Sequence, residues 1–281
     1  MLIAQISDTH MLPPGEIAYG LVDTERRLEA AVERINAIKP DLVLHTGDIA
    51  HHGAPAAYEL TFDILGGLEA PLYAIPGNHD DRANLRAAGK AFSWMPEPET
   101  PDAFIQFVVD AGDVALIALD TLIPGKTEGA LCDARLEWLA GALAETEGRP
   151  TIVALHHPPF STGLAGFSPV TLEHPDRLAG LLGGHNHVVR VIAGHLHRSI
   201  VGVCGRTPVV VAPSASFPFA FDTAADAALS ISFEDPGLAM HLWRPDVGLL
   251  SHVVPLDDAP AARPLIRNGE RLLPTSTPRA G

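Results

Sequence analysis

Histidine recurs in this chain beside aspartate or asparagine, and each such stretch follows a short apolar run. Asp8 and His10 follow Leu2 to Ile6, and Asp48 follows Asp41 to His45. Asn78 and His79 follow Leu72 to Ile75, His156 ends the run from Thr151, and His195 and His197 close Val188 to Ala193. Each residue also has a plainer role: Asp8 or Asp48 could cap a helix, Asn78 suits a tight turn, and His156 could be a satisfied, half-buried histidine. Together, each beyond the carboxyl end of a strand, they read as one site, because open α/β sheets keep their ligands there.

The residue types narrow the chemistry. Imidazoles, carboxylates and one amide oxygen make a mixed nitrogen and oxygen set, which suits manganese, iron, zinc or cobalt better than magnesium or calcium. The seven candidate ligands Asp8, His10, Asp48, Asn78, His156, His195 and His197 are too many for one zinc. They suit two divalent ions that share a carboxylate. In such pairs the ions lie ~3.5–4 Å apart and a hydroxide held between them is a strong nucleophile at neutral pH.

The elements that must position these residues follow from periodicity. Apolar Leu28, Ala31, Val32, Ile35 and Ile38 fall three and four apart and predict a helix capped at Asp23 or Thr24 and ended by Lys39-Pro40. A second helix is expected over Pro55 to Leu65, so three strand–helix steps predict a parallel sheet with right-handed crossovers. Phe104 to Asp110 and Val114 to Asp120, joined by Ala-Gly-Asp, predict a hairpin feeding a second sheet. Further helices are expected from Asp133, as cap, through Leu143 and over Pro175 to Leu182. Short strands are expected at 200–204, 209–212, 229–233 and 238–243. Residues 1–245 form the expected catalytic domain, with 205–245 as a lid or dimer region. The proline-, alanine- and arginine-rich residues 246–281 read as an extended arm.

One decoy has to be set aside. Gly184-His185-Asn186-His187 has the same Gly-His-x-His spelling as Gly194 to His197, but it precedes the strand whereas the latter follows it. The metal role therefore goes to His195 and His197. His45, His51, His52 and His157 neighbour the candidate ligands and are expected to support them or line the cleft.

Composition excludes some functions. The chain has 281 residues, 47% of them hydrophobic and 19% charged, enough for a sizeable core. A net charge of -15 argues against gripping long nucleic acids by their phosphates. An acidic protein that handles a phosphate needs local positive charge, which bound divalent cations supply. Cys132 and Cys204 lie in unlike contexts and read as free thiols of a reducing compartment. With no basic, apolar leader and no run near ~18 apolar residues, the expectation is a cytoplasmic protein without a membrane span.

The blocks DTH, GD, GNHD, HHPP and GHLH resemble, in type, order and spacing, those of the calcineurin-like metallophosphoesterases, over residues 1 to about 200. The similarity is greatest to the bacterial class III phosphodiesterases, and within them to the glycerophosphodiesterase group, through ISDTHMLPPGEIAYGLVD and PLYAIPGNHDD. The resemblance implies an α/β sandwich of two mixed sheets flanked by helices. It implies a first metal on Asp8, His10, Asp48 and His197, and a second on Asp48, Asn78, His156 and His195. Asp48 would bridge the two, and His79 would face the substrate phosphate. The implied activity is hydrolysis of small phosphodiesters, glycerophosphodiesters or 3′,5′-cyclic nucleotides, by metal-bound hydroxide, with His79 steadying or protonating the leaving oxygen.

A phosphomonoesterase is the alternative. The family's protein phosphatases carry an arginine shortly after the second motif's aspartate, and IAHHGAP after Asp48 has none. A non-catalytic binding module on the same fold would be expected to lose ligands, and all are present. The segment after Gly205, with its apolar PSASFPFAF, adds the expectation of a homo-oligomer.

Overall fold

The structure, a computed structural model, describes residues 1–98, 103–164, 166, 171–224, 226–256, 264–268 and 270–272. Its first half is a strand–helix alternation: β1 (Leu2–Ile6), α1 (Thr24–Ile38), β2 (Leu42–His45), α2 (Pro55–Leu65), β3 (Leu72–Ala74) and α3 (Arg82–Ala88). A hairpin of β4 (Phe107–Ala111) and β5 (Val114–Ala118) follows. Next come α4 (Asp133–Glu145), β6 (Thr151–Ala154), α5 (Pro175–Leu182) and β7 (Val188–Ala193). β8 (Ile200–Cys204), β9 (Thr207–Val211), β10 (Gly237–Arg244) and β11 (Gly248–Pro255) complete the framework. A two-residue hairpin, Ile266–Arg267 with Glu270–Arg271, lies beyond it.

The strands form two mixed sheets, ordered β11-β10-β1-β2-β3 and β4-β5-β6-β7-β9-β8. β1, β2 and β3 run parallel, as do β5, β6, β7 and β9, and the remaining pairings are antiparallel. Alternation along β1 shows the layering. Ala4 and Ile6 pack with Leu28, Val32 and Ile35 of α1, while Ile3 packs with Leu44, Leu116 and Ile152 between the sheets. On the far side of the second sheet, Leu139 and Leu143 of α4 and Leu178 and Leu182 of α5 cover Val153 and Val191. The result is the expected helix–sheet–sheet–helix sandwich, with the carboxyl ends of β1, β2, β3, β6 and β7 on one rim.

The structure departs from the sequence reading in several places. Residues 248–255 are no arm: β11 pairs along its whole length with β10 and forms the edge of the first sheet. Within 205–245, β9 and β10 lie at the strands expected over 209–212 and 238–243 and join the second and first sheets. Residues 229–233 are not a strand. They form only a bridge between Phe219 and Ile231, and Phe233 is exposed. The cap of α4 is Cys132, with Asp133 one residue inside, where its charge complements the helix dipole. α3 was not expected; it is short, and its signal is Asp81, whose carboxylate accepts from Asn84 N at 2.8 Å. Most of 257–281 lies outside the described residues.

Candidate metal centre

The sequence-predicted residues meet at the rim. Asp8, His10, Asp48 and His197 form one compact group whose donor atoms lie within 4.8 Å of one another. A second group joins them: Asn78 Oδ1 lies 3.2 Å from His156 Nε2 and 2.9 Å from His195 Nδ1. Asp48 belongs to both, because its Oδ2 is 3.6 Å from His10 Nε2 and 3.3 Å from His156 Nε2. His185 and His187 lie at the other end of β7, a six-residue strand and hence ~20 Å away.

Proton positions show what the groups can hold. His197 Nδ1 lies 2.7 Å from the Phe217 carbonyl and His156 Nδ1 2.7 Å from the Thr46 carbonyl. A carbonyl only accepts, so both rings carry a proton at Nδ1 when neutral and present a bare Nε2 lone pair inward. His156 Nε2 thus faces a carboxylate oxygen and an amide oxygen, while His197 Nε2 lies 2.9 Å from His10 Nε2. Such inward-facing acceptors are satisfied by a shared cation, whether a proton on His10 Nε2 or His156 Nε2 or a metal ion that takes the same place. The donor set therefore fits divalent metal ions, with nitrogen and oxygen in the proportions transition metals accept.

The electrostatics agree. Burial works against the Asp48 carboxylate, but His156, His79 and His10 outweigh it and hold Asp48 well below the usual range. Asp8 is pushed up to about 7, chiefly by burial, with Asp48 adding to the rise despite His156. Burial pulls His156 down, yet Asp48 and Asp8 raise it to about 9. His195 and His197 fall to about 3, again mainly through burial. Without an ion, one imidazole is thus drawn into the cation's role beside the carboxylates while the others remain neutral donors.

The backbone is bent to achieve this. Asp8, His10, Asp48, His195 and His197 all have left-handed φ, between 48° and 75°, and at non-glycine residues this costs roughly 1–3 kcal/mol each. Close approach is the second requirement. A Cβ on Gly77 would strike Asp48 Oδ1, and one on Gly194 would strike Ser7 Oγ, so only glycine lets these loops nest.

Neighbouring side chains fix the loops. His51 Nδ1 is 3.0 Å from His10 Nδ1, and His45 Nε2 is 2.9 Å from Thr9 Oγ1, which joins the first two motifs. His157 is tied to Thr121 at 2.8 Å and packs beside His195, while His52 is exposed. His79 donates its backbone N–H to Asp48 Oδ1 at 2.9 Å, and its Nδ1 lies 2.7 Å from the His51 carbonyl. Its ring lines a cavity of about 210 Å³ together with Tyr19, Thr127, Phe217, Phe219 and five of the candidate ligands, all but Asp8 and His156.

Sequence reasoning missed Asp80. Buried at the end of GNHD, its carboxylate accepts from Ile49 N (3.1 Å), Ala50 N (3.0 Å), Gly77 N (2.8 Å) and Tyr58 Oη (2.8 Å), locking the second motif to the third. It also missed Arg82, whose Nε and a terminal nitrogen meet Asp120 at 2.6 and 2.8 Å and so tie that loop to the second sheet. The signal for Asp80 was present: it closes the turn after β3, and turn carboxylates commonly accept from nearby backbone N–H groups.

Residues 1–199 match the family model for calcineurin-like phosphoesterases. The chain belongs to this family. It is 33% identical over 255 residues to the protein of Arcobacter nitrofigilis named probable glycerophosphodiester phosphodiesterase, covering 90% of this chain and 92% of that one. To the protein of Rhodopseudomonas palustris named probable cyclic nucleotide phosphodiesterase it is 37% identical over 244 residues, covering 85% and 87%. Among solved structures, a dimetal phosphatase from Danio rerio shares the fold, with a TM-score of 0.60 at 14% identity over 92% of this chain and 99% of that one. For this phosphoesterase, the fold and the metal-fitting donor groups agree with family membership. No helix among the described residues is long and apolar enough to cross a membrane.

Proposed function

We propose that this phosphoesterase hydrolyses small phosphodiesters with two divalent transition-metal ions (manganese, iron, zinc or cobalt). Asp8, His10, Asp48 and His197 would hold one, and Asp48, Asn78, His156 and His195 the other. The observation that carries the reading is the position of Asp48 Oδ2 between His10 Nε2 and His156 Nε2, at 3.6 and 3.3 Å, one carboxylate facing two donor groups. When bound, such a pair supplies Lewis-acid activation of the phosphoryl group and a nucleophile derived from water at neutral pH.

The chain's own residues do the rest. Asp48, ionised and fixed by the His79 N–H, keeps the two groups in register. The His51 carbonyl orients the His79 ring so that its other nitrogen meets the cavity, where a protonated ring donates to a phosphoryl or leaving oxygen. The described residues lining the cavity include no lysine or arginine. A diester with one negative charge suits such a wall better than a dianionic monoester, which favours the diesterase over the phosphomonoesterase. Pockets for drug-sized ligands are ~300–1,000 Å³, so a cavity of about 210 Å³ suits a small, head-group-sized substrate. Glycerophosphodiesters and 3′,5′-cyclic nucleotides are the substrate classes that the relatives' names support.

The test is turnover of bis(p-nitrophenyl) phosphate by metal-free protein before and after Mn²⁺, followed by glycerophosphoethanolamine and cyclic AMP. Mn²⁺-dependent turnover of a diester is expected; its absence with every diester would return the fold to a binding role. Two further readings are ours. The free thiols Cys132 and Cys204 support a cytoplasmic location, which fractionation checks. Exposed Val201 and Val203 on the edge strand β8 support a homo-oligomer, and a monomer mass by light scattering would refute it.

A further inference from the structure

Gln5 is a fully buried amide in the middle of β1, flanked by β10 and β2. Burying an amide without partners costs roughly 2–7 kcal/mol, so its bonds indicate what it is for. It leaves the strand on the same face as Ile3, which puts its side chain between the two sheets. There Nε2 donates to Thr46 Oγ1 at 2.9 Å and to the Ala193 carbonyl at 2.9 Å. Its Oε1 lies 2.9 Å from His241 Nε2, and His241 Nδ1 lies 2.8 Å from Ser251 Oγ.

One acceptor fixes the orientation of the amide. The Ala193 carbonyl can only accept, so the amide nitrogen of Gln5 faces it and Oε1 faces His241. His241 therefore carries its proton on Nε2 and accepts the Ser251 hydroxyl at Nδ1. Burial, aided by Arg190, depresses His241 to about 3 and so keeps the ring neutral, which is what leaves Nδ1 as an acceptor.

The endpoints lie next to candidate ligands on both sheets. Thr46 follows β2, immediately before Gly47-Asp48, and its carbonyl faces His156 Nδ1 at 2.7 Å. Ala193 ends β7, immediately before Gly194-His195, and Gly194 N donates to the His156 carbonyl at 3.0 Å. The first sheet supplies Asp8, His10, Asp48 and Asn78, and the second supplies His156, His195 and His197. A link across the sheets is what sets the distance between the two sources of ligands.

We propose that Gln5, oriented by His241, is a positioning residue that holds the strand ends of both sheets at the spacing the metal pair requires. This rests on the metal-pair reading above. Partners one step behind metal ligands are typically worth ~10–100-fold in metal affinity, and Gln5 reaches two ligand-bearing loops at once.

The experiment is calorimetric titration of metal-free protein with Mn²⁺, with electron paramagnetic resonance at matched occupancy, on wild type, Gln5→Leu, His241→Leu and His241→Gln. Gln5→Leu removes all three bonds of the side chain at similar bulk. It should weaken the second ion ~10–100-fold and diminish the spin-coupled signal of the pair. His241→Leu leaves Gln5 unoriented and should weaken the second ion at least about threefold, a modest share of that range. His241→Gln restores a donor to Oε1 and should return affinity to the wild-type value. A residue that only stabilises the fold would lower the melting temperature and leave the affinity of the folded protein alone. Should Gln5→Leu fail to fold, the two His241 variants decide the matter. A wild type that binds fewer than two ions overturns the metal-pair reading and the clamp with it. Two ions in wild type, with affinities within about twofold in Gln5→Leu or, if that variant does not fold, in His241→Leu, overturn the clamp alone.

Discussion

Asp48→Asn isolates the shared carboxylate, because asparagine keeps the shape of Asp48 and the acceptor for the His79 N–H while removing the charge. Asp48 Oδ2 is 3.3 Å from His156 Nε2 and 3.6 Å from His10 Nε2, so an ion that either imidazole would hold could also be ligated by the carboxylate, at a contact of about 3 Å or less. At an effective dielectric of about 20, one negative charge on a divalent ion at that distance is worth on the order of 11 kcal/mol before desolvation. Breaking a buried charge pair in proteins leaves a net loss of roughly 3–5 kcal/mol, which is ~10²–10³-fold or more in affinity. Since one oxygen faces both groups, both ions should weaken together. Asn78→Ala, which touches only the second group, should weaken one. Elemental analysis over a Mn²⁺ titration, with diesterase activity in parallel, reads both. Two ions retained at wild-type affinity in Asp48→Asn, or a loss confined to one of them, would refute the bridging assignment.

His79→Ala should cost ~10²–10⁴-fold on alkyl diesters, whose leaving oxygen needs a proton, and far less on nitrophenyl diesters, with two metals still bound. Equal losses on both substrates would sink the acid role. His185→Ala and His187→Ala should leave metal content at the wild-type value, whereas His195→Ala and His197→Ala should each lose an ion; the reverse would place the centre at the wrong end of β7. His241, depressed to about 3 in the fold against ~6.5 unfolded, favours the folded state fully above pH 6.5, and that contribution is lost as pH falls toward 3. Urea unfolding should therefore show wild type losing up to about 1.4 kcal/mol per pH unit relative to His241→Gln below pH 6; a pH-independent difference would contradict this.

Much of the centre was legible because two signals coincide at each motif. An apolar run of strand length fixes where the chain emerges from the sheet, and the residues just past it are of metal-binding types. The same logic separated Gly194 to His197 from Gly184 to His187 by order alone. β11 was missed because GLLSHVVP adjoins a proline- and arginine-rich tail and belongs to an edge, where pairing with β10 rather than alternation defines the strand. Asp80 and Gln5 were missed for another reason. Each is polar within a segment already explained, one as part of a turn and the other as part of a buried strand, and apart from Gly77 their partners are 22 to 236 residues away. A lone amide inside Leu2 to Ile6 was nonetheless a signal, since a buried strand has no use for one unless something across the core bonds to it.

What no sequence pattern announced is the left-handed backbone at Asp8, His10, Asp48, His195 and His197. A strand continuing past Ile6 would carry its side chains away from the neighbouring loop. The left-handed turns instead fold the first motif against the second, through Asp8 N to the Gly47 carbonyl at 3.0 Å and His10 N to the Asp48 carbonyl at 2.9 Å. At roughly 1–3 kcal/mol for each such residue, the strain across the five approaches the whole net stability of a typical domain, about 5–15 kcal/mol. A fold can carry that only if the surrounding structure over-determines the geometry. Here it does, through the four donors gathered by Asp80 and the amide of Gln5 stretched between the sheets. All five strained residues are candidate ligands, and their side chains converge on one rim. Polar residues outside the candidate ligand set, Asp80 and Gln5, thus hold the strained loops in place, as a site built to receive cations requires.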